Sequence, residues 1–186
     1  MSNLVQSVGL GRARVILADP PWSFRTYSSG PDAGVTPHRS AEDHYATMSA
    51  DALKRLPVGL VAHRDAMLFM WVIRSHLPEA LELGRAWGFE YKTRVFVWDK
   101  GDNIGMGYWT RTQAEDVWLF TRGNVSPASR AVREIIRAPR REHSRKPDEI
   151  YDRIEELTGM QGGLELFART TRPGWVAWGD ETAKFA

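Results

Sequence analysis

Cysteine is absent from the 186 residues, which excludes disulfides and thiolate metal sites. The same absence removes two chemistries. Methylation at a pyrimidine ring carbon ordinarily needs a thiolate nucleophile, and the zinc deaminases hold their metal with cysteines. No apolar run approaches the ~20 residues of a membrane span. The stretch Met1–Arg14 lacks the apolar centre of a secretion signal, so a cytoplasmic location is expected. Repeats and low-complexity tracts are also missing. Charge is nearly balanced, at a formal net +2.

What is present is a soluble composition with 42% hydrophobic residues, enough for one packed domain. Basic residues are unevenly spread. Arg122, Arg130, Arg133, Arg137, Arg140, Arg141, Arg145 and Lys146 fall in one stretch whose only acids are Glu134 and Glu142. That stretch reads either as a solvated surface or as a phosphate-binding face. Eight tryptophans are many for this length; most belong in a core, and some are suited to stacking on bases.

Short apolar runs alternate with helical segments. Strands are expected at Val15–Ala18, Met67–Ile73, Arg94–Trp98, Asp116–Thr121, Leu164–Ala168 and Trp175–Gly179. Helices are expected at Ser49–Leu56 with Ser49 as cap, at Pro78–Trp87 closed by Gly88, and at Pro147–Leu157 with Pro147 in the first position. Ser23–Asp43 and Asp99–Gln113 read as long loops, which in compact domains usually carry function. This alternation implies a mostly parallel sheet covered on both faces. Ligands then bind at the carboxyl ends of the strands, where Asp19, Lys100, Arg169 and Asp180 fall.

Directly after the first strand stands Asp19-Pro20-Pro21-Trp22. One reading is a rigid turn with a capping Asp and a buried Trp. The other is a catalytic motif for an exocyclic amine. Adenine's amino nitrogen is a poor nucleophile because its lone pair is delocalised into the ring. Accepting hydrogen bonds from both amine hydrogens favours a tetrahedral nitrogen with its lone pair available. The Asp19 carboxylate and the Pro20 carbonyl supply two such acceptors, and proline brings no competing N–H. Pro21 stiffens the turn and so preorganises the carbonyl. Trp22 is expected to offer a flat surface to a flipped base. No strong base is needed, since the nitrogen becomes acidic once methylated, and alignment supplies much of the rate.

Further segments occur with that motif in a fixed order. They are ADPPW (18–22), YATMS (45–49), LFMWV (68–72), ELGRAWGF (82–89), VFVWDK (95–100), GYWTRTQAEDVWLFTRG (107–123), HSRKPDEIYDRIEEL (143–157), LELFART (164–170) and PGWVAWGDE (173–181). In this order they resemble the adenine-N6 methyltransferases that include the catalytic subunit of the eukaryotic mRNA adenosine methyltransferase, with bacterial and phage relatives. The resemblance implies a Rossmann-like α/β fold, circularly permuted, in a single domain over 1–186. It has a short N-terminal extension (1–13) and active-site loops at 23–44 and 99–113. It implies S-adenosyl-L-methionine as cofactor and no metal.

By the same resemblance Ala18 and Asp19 border the cofactor, and Lys146 meets its amino-acid end. Arg169 and Arg172 lie near the ribose, and Asp180 and Glu181 near ribose and adenine. Glu115 pairs with Lys146. Tyr45, Tyr108, Trp109 and Arg111 on the loops are expected to contact substrate by stacking and phosphate binding.

The chain departs from the family pattern in three ways. The late strand has no following G-x-G-x-x-G. The polar pair Asp180-Glu181 replaces two amides, and Arg172 stands where the eukaryotic enzyme has an amide. The segment before the catalytic strand is short, and there is no room for a separate target-recognition domain. Relaxed or very short sequence preference and a homodimer are therefore expected. The expected substrate is adenine in DNA, with RNA as the alternative. From other classes, a catalytically silent nucleic-acid-binding subunit and an amide methyltransferase are the competing readings.

Overall fold

The computed structural model describes residues 3–22, 47–102, 105, 109–142 and 145–185. Seven strands form one sheet: β1 (Ala13–Ala18), β2 (Ala62–Val72), β3 (Glu90–Asp99), β4 (Ala114–Arg122), β5 (Ile135–Arg137), β6 (Gly163–Leu166) and β7 (Trp175–Trp178). Their order across the sheet is β5-β3-β4-β2-β1-β6-β7. β1 pairs in parallel with β2 and β6, β6 with β7, and β3 with β5. Only β4 runs against its neighbours β2 and β3. The expected mostly parallel sheet is therefore present. The reversed strand has a consequence: β4 begins, rather than ends, at the carboxyl edge of the others.

Five helices cover the sheet: α1 (Leu4–Val8), α2 (Ala50–Lys54), α3 (Val58–Val61), α4 (Leu77–Ala86) and α5 (Glu149–Thr158). Ser49 caps α2 as expected, its hydroxyl accepting from the Ala52 N–H at 3.2 Å. Gly88 follows α4 at φ 84, a left-handed position that glycine adopts at little cost. Within α4, Gly84 is required by space, since a Cβ there would lie 2.4 Å from the Phe120 ring.

Side chains on β1 alternate between two cores, as the pleat demands. Ile16 and Ala18 join the core under α1–α4, which also holds Leu53, Leu83 and Trp87. Val15 and Leu17 join the second, under α5, with Phe69, Phe96, Trp98, Ile150 and Ile154. Of the eight tryptophans, six are buried and Trp118 is half-buried, while Trp109 is 91% exposed.

Three expectations need correction. β2 starts at Ala62, five residues before Met67, where Ala62 pairs with Ala13 of β1, so the strand includes a polar stretch that composition leaves out of a buried strand. Pro147 precedes α5 instead of opening it. The first helical residue is Glu149, and the Pro147 and Asp148 carbonyls accept from Ile150 and Tyr151 N–H in a tight leading turn. β5 is unexpected: a three-residue strand inside the arginine-rich stretch, anchored by the fully buried Ile136.

Candidate active site

Asp19 follows β1 by one residue, two past Leu17, so the pleat directs its side chain to the α5 face. Lys100 follows β3 and stands two past Trp98; Glu115 near the start of β4 stands two before Val117. Both therefore point to the same face. Register finishes the job, since Trp98 pairs with Glu115 across the β3–β4 ladder.

The result is a chain of four charges. Lys146 Nζ, from the turn leading into α5, lies 3.2 Å from Asp19 Oδ2 and 3.0 Å from Glu115 Oε2. The other Glu115 oxygen accepts from Lys100 Nζ. The two ammoniums also lie over indoles, Lys146 at 5.3 Å from Trp71 and Lys100 at 4.9 Å from Trp98. Burial works against ionisation of Glu115, but Lys146 and Lys100 outweigh it and bring its carboxyl down to about 2. Burial likewise acts to lower the Lys146 ammonium, yet the Asp19 and Glu115 carboxylates hold it above its ordinary value. Glu115 and Lys146 thus stay charged because their partners offset the desolvation of each.

Beside this cluster a cleft opens to solvent. Among its walls are Asp19, Lys146, Glu165, Phe167, Arg169 and Phe185. Glu165, on β6, accepts from the Tyr151 hydroxyl of α5 at 3.0 Å. Burial pushes its carboxyl up to about 7, the Asp19 charge adding to this and the Tyr151 hydrogen bond opposing it. Burial also raises the Tyr151 phenol. Phe167 turns the chain off β6 at φ 62, an uncommon conformation for a residue with a Cβ. Such outliers collect at binding sites, where the surroundings hold them in place.

The walls suit S-adenosyl-L-methionine. Lys146, Arg145 and Arg169 are cations for a carboxylate; Asp19 and Glu165 face an ammonium and hydroxyls; Phe167, Tyr151 and Phe185 offer flat surface to a purine. One polar atom of the cleft, Arg145 Nε, is buried without a hydrogen-bond partner, which a ligand oxygen would relieve.

Asp19, Lys146, Arg169 and Glu115 are brought together or bordering one cleft, while Ala18 is buried in β1. Glu181 stands behind the wall, its carboxylate 3.4 Å from Arg169 Nε. Asp180 is exposed outside the lining, and Arg172 turns to α5, bonding Asp152 and lying 4.8 Å over the Tyr151 ring.

The Asp-Pro-Pro-Trp turn is closed by the Trp22 N–H donating to the Pro20 carbonyl at 2.9 Å, and the Pro21 carbonyl accepts from Met48 N–H at 2.8 Å. The stacking surface expected of Trp22 must be corrected. Its ring is 2% exposed, belongs to the core under α1–α4 and lies 5.5 Å from the His76 ring. The alternation that sends Asp19 to one face returns Trp22 to the other.

Of the loop residues, Tyr45 and Tyr108 lie outside the described residues. Trp109, at φ 69, and Arg111 are exposed. The arginine-rich stretch is divided. Arg122 is structural, donating to the Gly59 carbonyl at 2.9 Å, and Arg141 bonds Asp148. Arg137 is exposed.

Sequence reasoning places Lys100 at a strand end but not against Glu115, and it misses Arg145, Glu165, Tyr151, Phe167 and Phe185 as site residues. A single acid among the apolar residues of LELF is the one available signal, for Glu165. For Phe185 there is none.

A family model described as MT-A70 matches residues 13–181. The chain is 33% identical over 180 residues to the Type II methyltransferase M.MunI of a Mycoplasma species, covering 90% of this chain and 77% of that one. It is 30% identical over 186 residues to the human N(6)-adenosine-methyltransferase catalytic subunit METTL3, covering 92% of this chain and 28% of that protein. A probable N(6)-adenosine-methyltransferase of Oryza sativa is also 30% identical over 185 residues, with 92% and 23% covered. The chain thus spans about a quarter of these plant and human relatives and three quarters of the bacterial one. On the family match across nearly all of its length, this chain belongs to the MT-A70 family.

Proposed function

We propose that this chain transfers the methyl group of S-adenosyl-L-methionine to the N6 amine of adenine in DNA. The observation that carries the reading is the Asp19 carboxylate at the end of β1, held by Lys146, Glu115 and Lys100 beside a cleft with cofactor-like walls. The name of the human relative supports the atom, and the bacterial type II methyltransferase, which the chain matches over most of its length, supports DNA.

When bound, the cofactor supplies an electrophilic methyl group on a sulfonium. The Asp19 carboxylate, paired with the Lys146 ammonium, accepts one amine hydrogen bond. The Pro20 carbonyl has one lone pair on the Trp22 N–H and the second open to the other amine hydrogen. Lys146 and Arg169 orient the carboxylate and ribose ends of the cofactor. Asp180 and Glu181, which follow β7, are assigned to the ribose and adenine, and Arg172, between β6 and β7 and bonded to Asp152 of α5, to the ribose end. Trp109 and Arg111, exposed on the loop before β4, are the described candidates for stacking and phosphate contact. Cytoplasmic location and a homodimer complete this reading; a second copy would double the exposed arginines. Among the described residues no helix is long and apolar enough to cross a membrane.

Labelled-methyl transfer to adenine oligonucleotides tests the proposal, with Asp19→Ala expected to abolish it. An Asp19→Ala variant of full activity overturns the mechanism. RNA is the second reading, favoured by the identity to METTL3. Competition between matched DNA and RNA strands separates the two: preferential labelling of RNA replaces the DNA assignment. Cofactor titration addresses a silent subunit, which would show no binding without a partner.

A further inference from the structure

We infer that Phe185 and Arg145 form a clamp across the mouth of the cleft and hold the cofactor there. The inference rests on the methyltransferase reading above.

Phe185 lies past residue 181, where the family match stops. Three contacts tie its segment down. The Phe185 N–H donates to the Arg169 carbonyl at 3.1 Å, and the Lys184 N–H to the Glu181 carbonyl at 2.9 Å. Lys184 Nζ also donates to Glu181 Oε1 at 2.6 Å, while Glu181 pairs with Arg169. The turn after β7 is thus fastened to the loop after β6, and the Phe185 ring is brought to the cleft wall.

Arg145 approaches from the opposite side, one residue before Lys146. Its guanidinium lies 5.1 Å from the centre of the Phe185 ring, a cation–π contact that joins the two lips. Arg145 NH1 reaches Glu142 at 3.5 Å on the outer side. Its Nε, by contrast, is buried with no hydrogen-bond partner. A buried donor without an acceptor is costly and rare. Here it sits in the lining of a cleft whose other groups suit a zwitterion and a purine. A carboxylate or ribose oxygen would complete it, while the Phe185 ring covers apolar surface of the ligand. A ligand therefore stabilises the clamp, and the clamp slows the ligand's release.

The test is calorimetric titration of the full chain with S-adenosylhomocysteine and S-adenosylmethionine, together with stopped-flow dissociation rates. The clamp requires Phe185→Ala to weaken binding about tenfold, mainly through faster release, with the ligand-free melting temperature unchanged. Phe185→Trp should restore binding, which a general folding defect would not allow. Arg145→Ala should weaken binding similarly. The double variant should lose less than the product of the single losses, because each lip acts through the other. If wild type binds and Phe185→Ala binds equally well, the clamp is wrong and the methyltransferase reading stands. If wild type itself binds neither compound, that reading fails and takes the clamp with it.

Discussion

The two faces of the sheet are built from the same strands and differ in kind. Under α1–α4 the core is dry, and Trp22, Trp87 and Phe120 close it. Under α5 the core is equally apolar at its centre, with Leu17, Phe96, Trp98 and Val117. At the carboxyl edge of that face, however, the next positions of the same alternating rows are Asp19, Lys100 and Glu115. Strand pleat aims these side chains, and a single helix on this face leaves them room. Chemistry sits where an alternating apolar row runs out at the edge of a sheet face that, among the described residues, one helix covers.

Substitutions on the two faces should therefore separate catalysis from stability. The largest effect is expected from Asp19→Ala, which removes an acceptor for the amine. Methyl transfer should fall by at least about 10³-fold, of the order seen for loss of a preorganised transition-state contact, while cofactor binding is partly retained. Single-turnover assays with calorimetry read both. Trp87→Ala is the counterpart on the dry face. It empties a fully buried site and removes the indole donor to the Leu53 carbonyl at 3.0 Å. It should cost about 4 kcal/mol in urea unfolding. If the folded fraction of Trp87→Ala has lost cofactor binding altogether, the two faces are not separable.

Glu115→Gln falls between these two. It leaves two buried ammoniums with Asp19 as the one remaining carboxylate of the chain of charges, and should destabilise by about 3 kcal/mol. It should also weaken cofactor binding by loosening Lys146. The Glu115 contribution is present above the ordinary carboxyl range and is lost as pH falls toward about 2. Wild-type stability should therefore fall more steeply between about pH 4.5 and pH 2 than that of Glu115→Gln, which starts lower and lacks this component.

Glu165 carries the opposite sign and the smallest effect. Its folded carboxyl is raised to about 7, so its contribution is complete below its unfolded range and is lost as pH climbs through 7. Stability should drop by about 1 kcal/mol between pH 6 and pH 8 from this group. Glu165→Gln should flatten that slope; an unchanged slope would show that the group ionises freely in the fold.

The legible and illegible parts of the site divide along a physical line. Asp19 was readable because the Asp-Pro-Pro-Trp turn supplies residue types that its chemistry needs, whereas Lys146, Arg169 and Glu115 were readable through the family resemblance of their segments. Lys100 was visible as a strand-end residue but not as a partner of Glu115, since that contact depends on β3–β4 register. Trp22 was readable as a neighbour of Asp19, yet its direction came out opposite. Arg145 read as one more surface cation. Tyr45 and Tyr108 fall outside the described residues. In the fold, β5 went unread because three residues among arginines carry no period, and the start of β2 because its first residues are polar.

By itself the sequence determined the α/β class and, through its ordered motifs, the family, and it pointed to the Asp-Pro-Pro-Trp turn. These depend on local composition and on motifs contiguous along the chain. Only the tertiary structure decided that β4 runs backwards, which brings Glu115 to the edge where Asp19, Lys100 and Lys146 meet. It alone decided that Trp22 lies in the core and that Phe185 folds back against Arg145. The reason is distance: these contacts join residues 15 to 127 positions apart along the chain, and no local pattern encodes which remote partner a side chain will face.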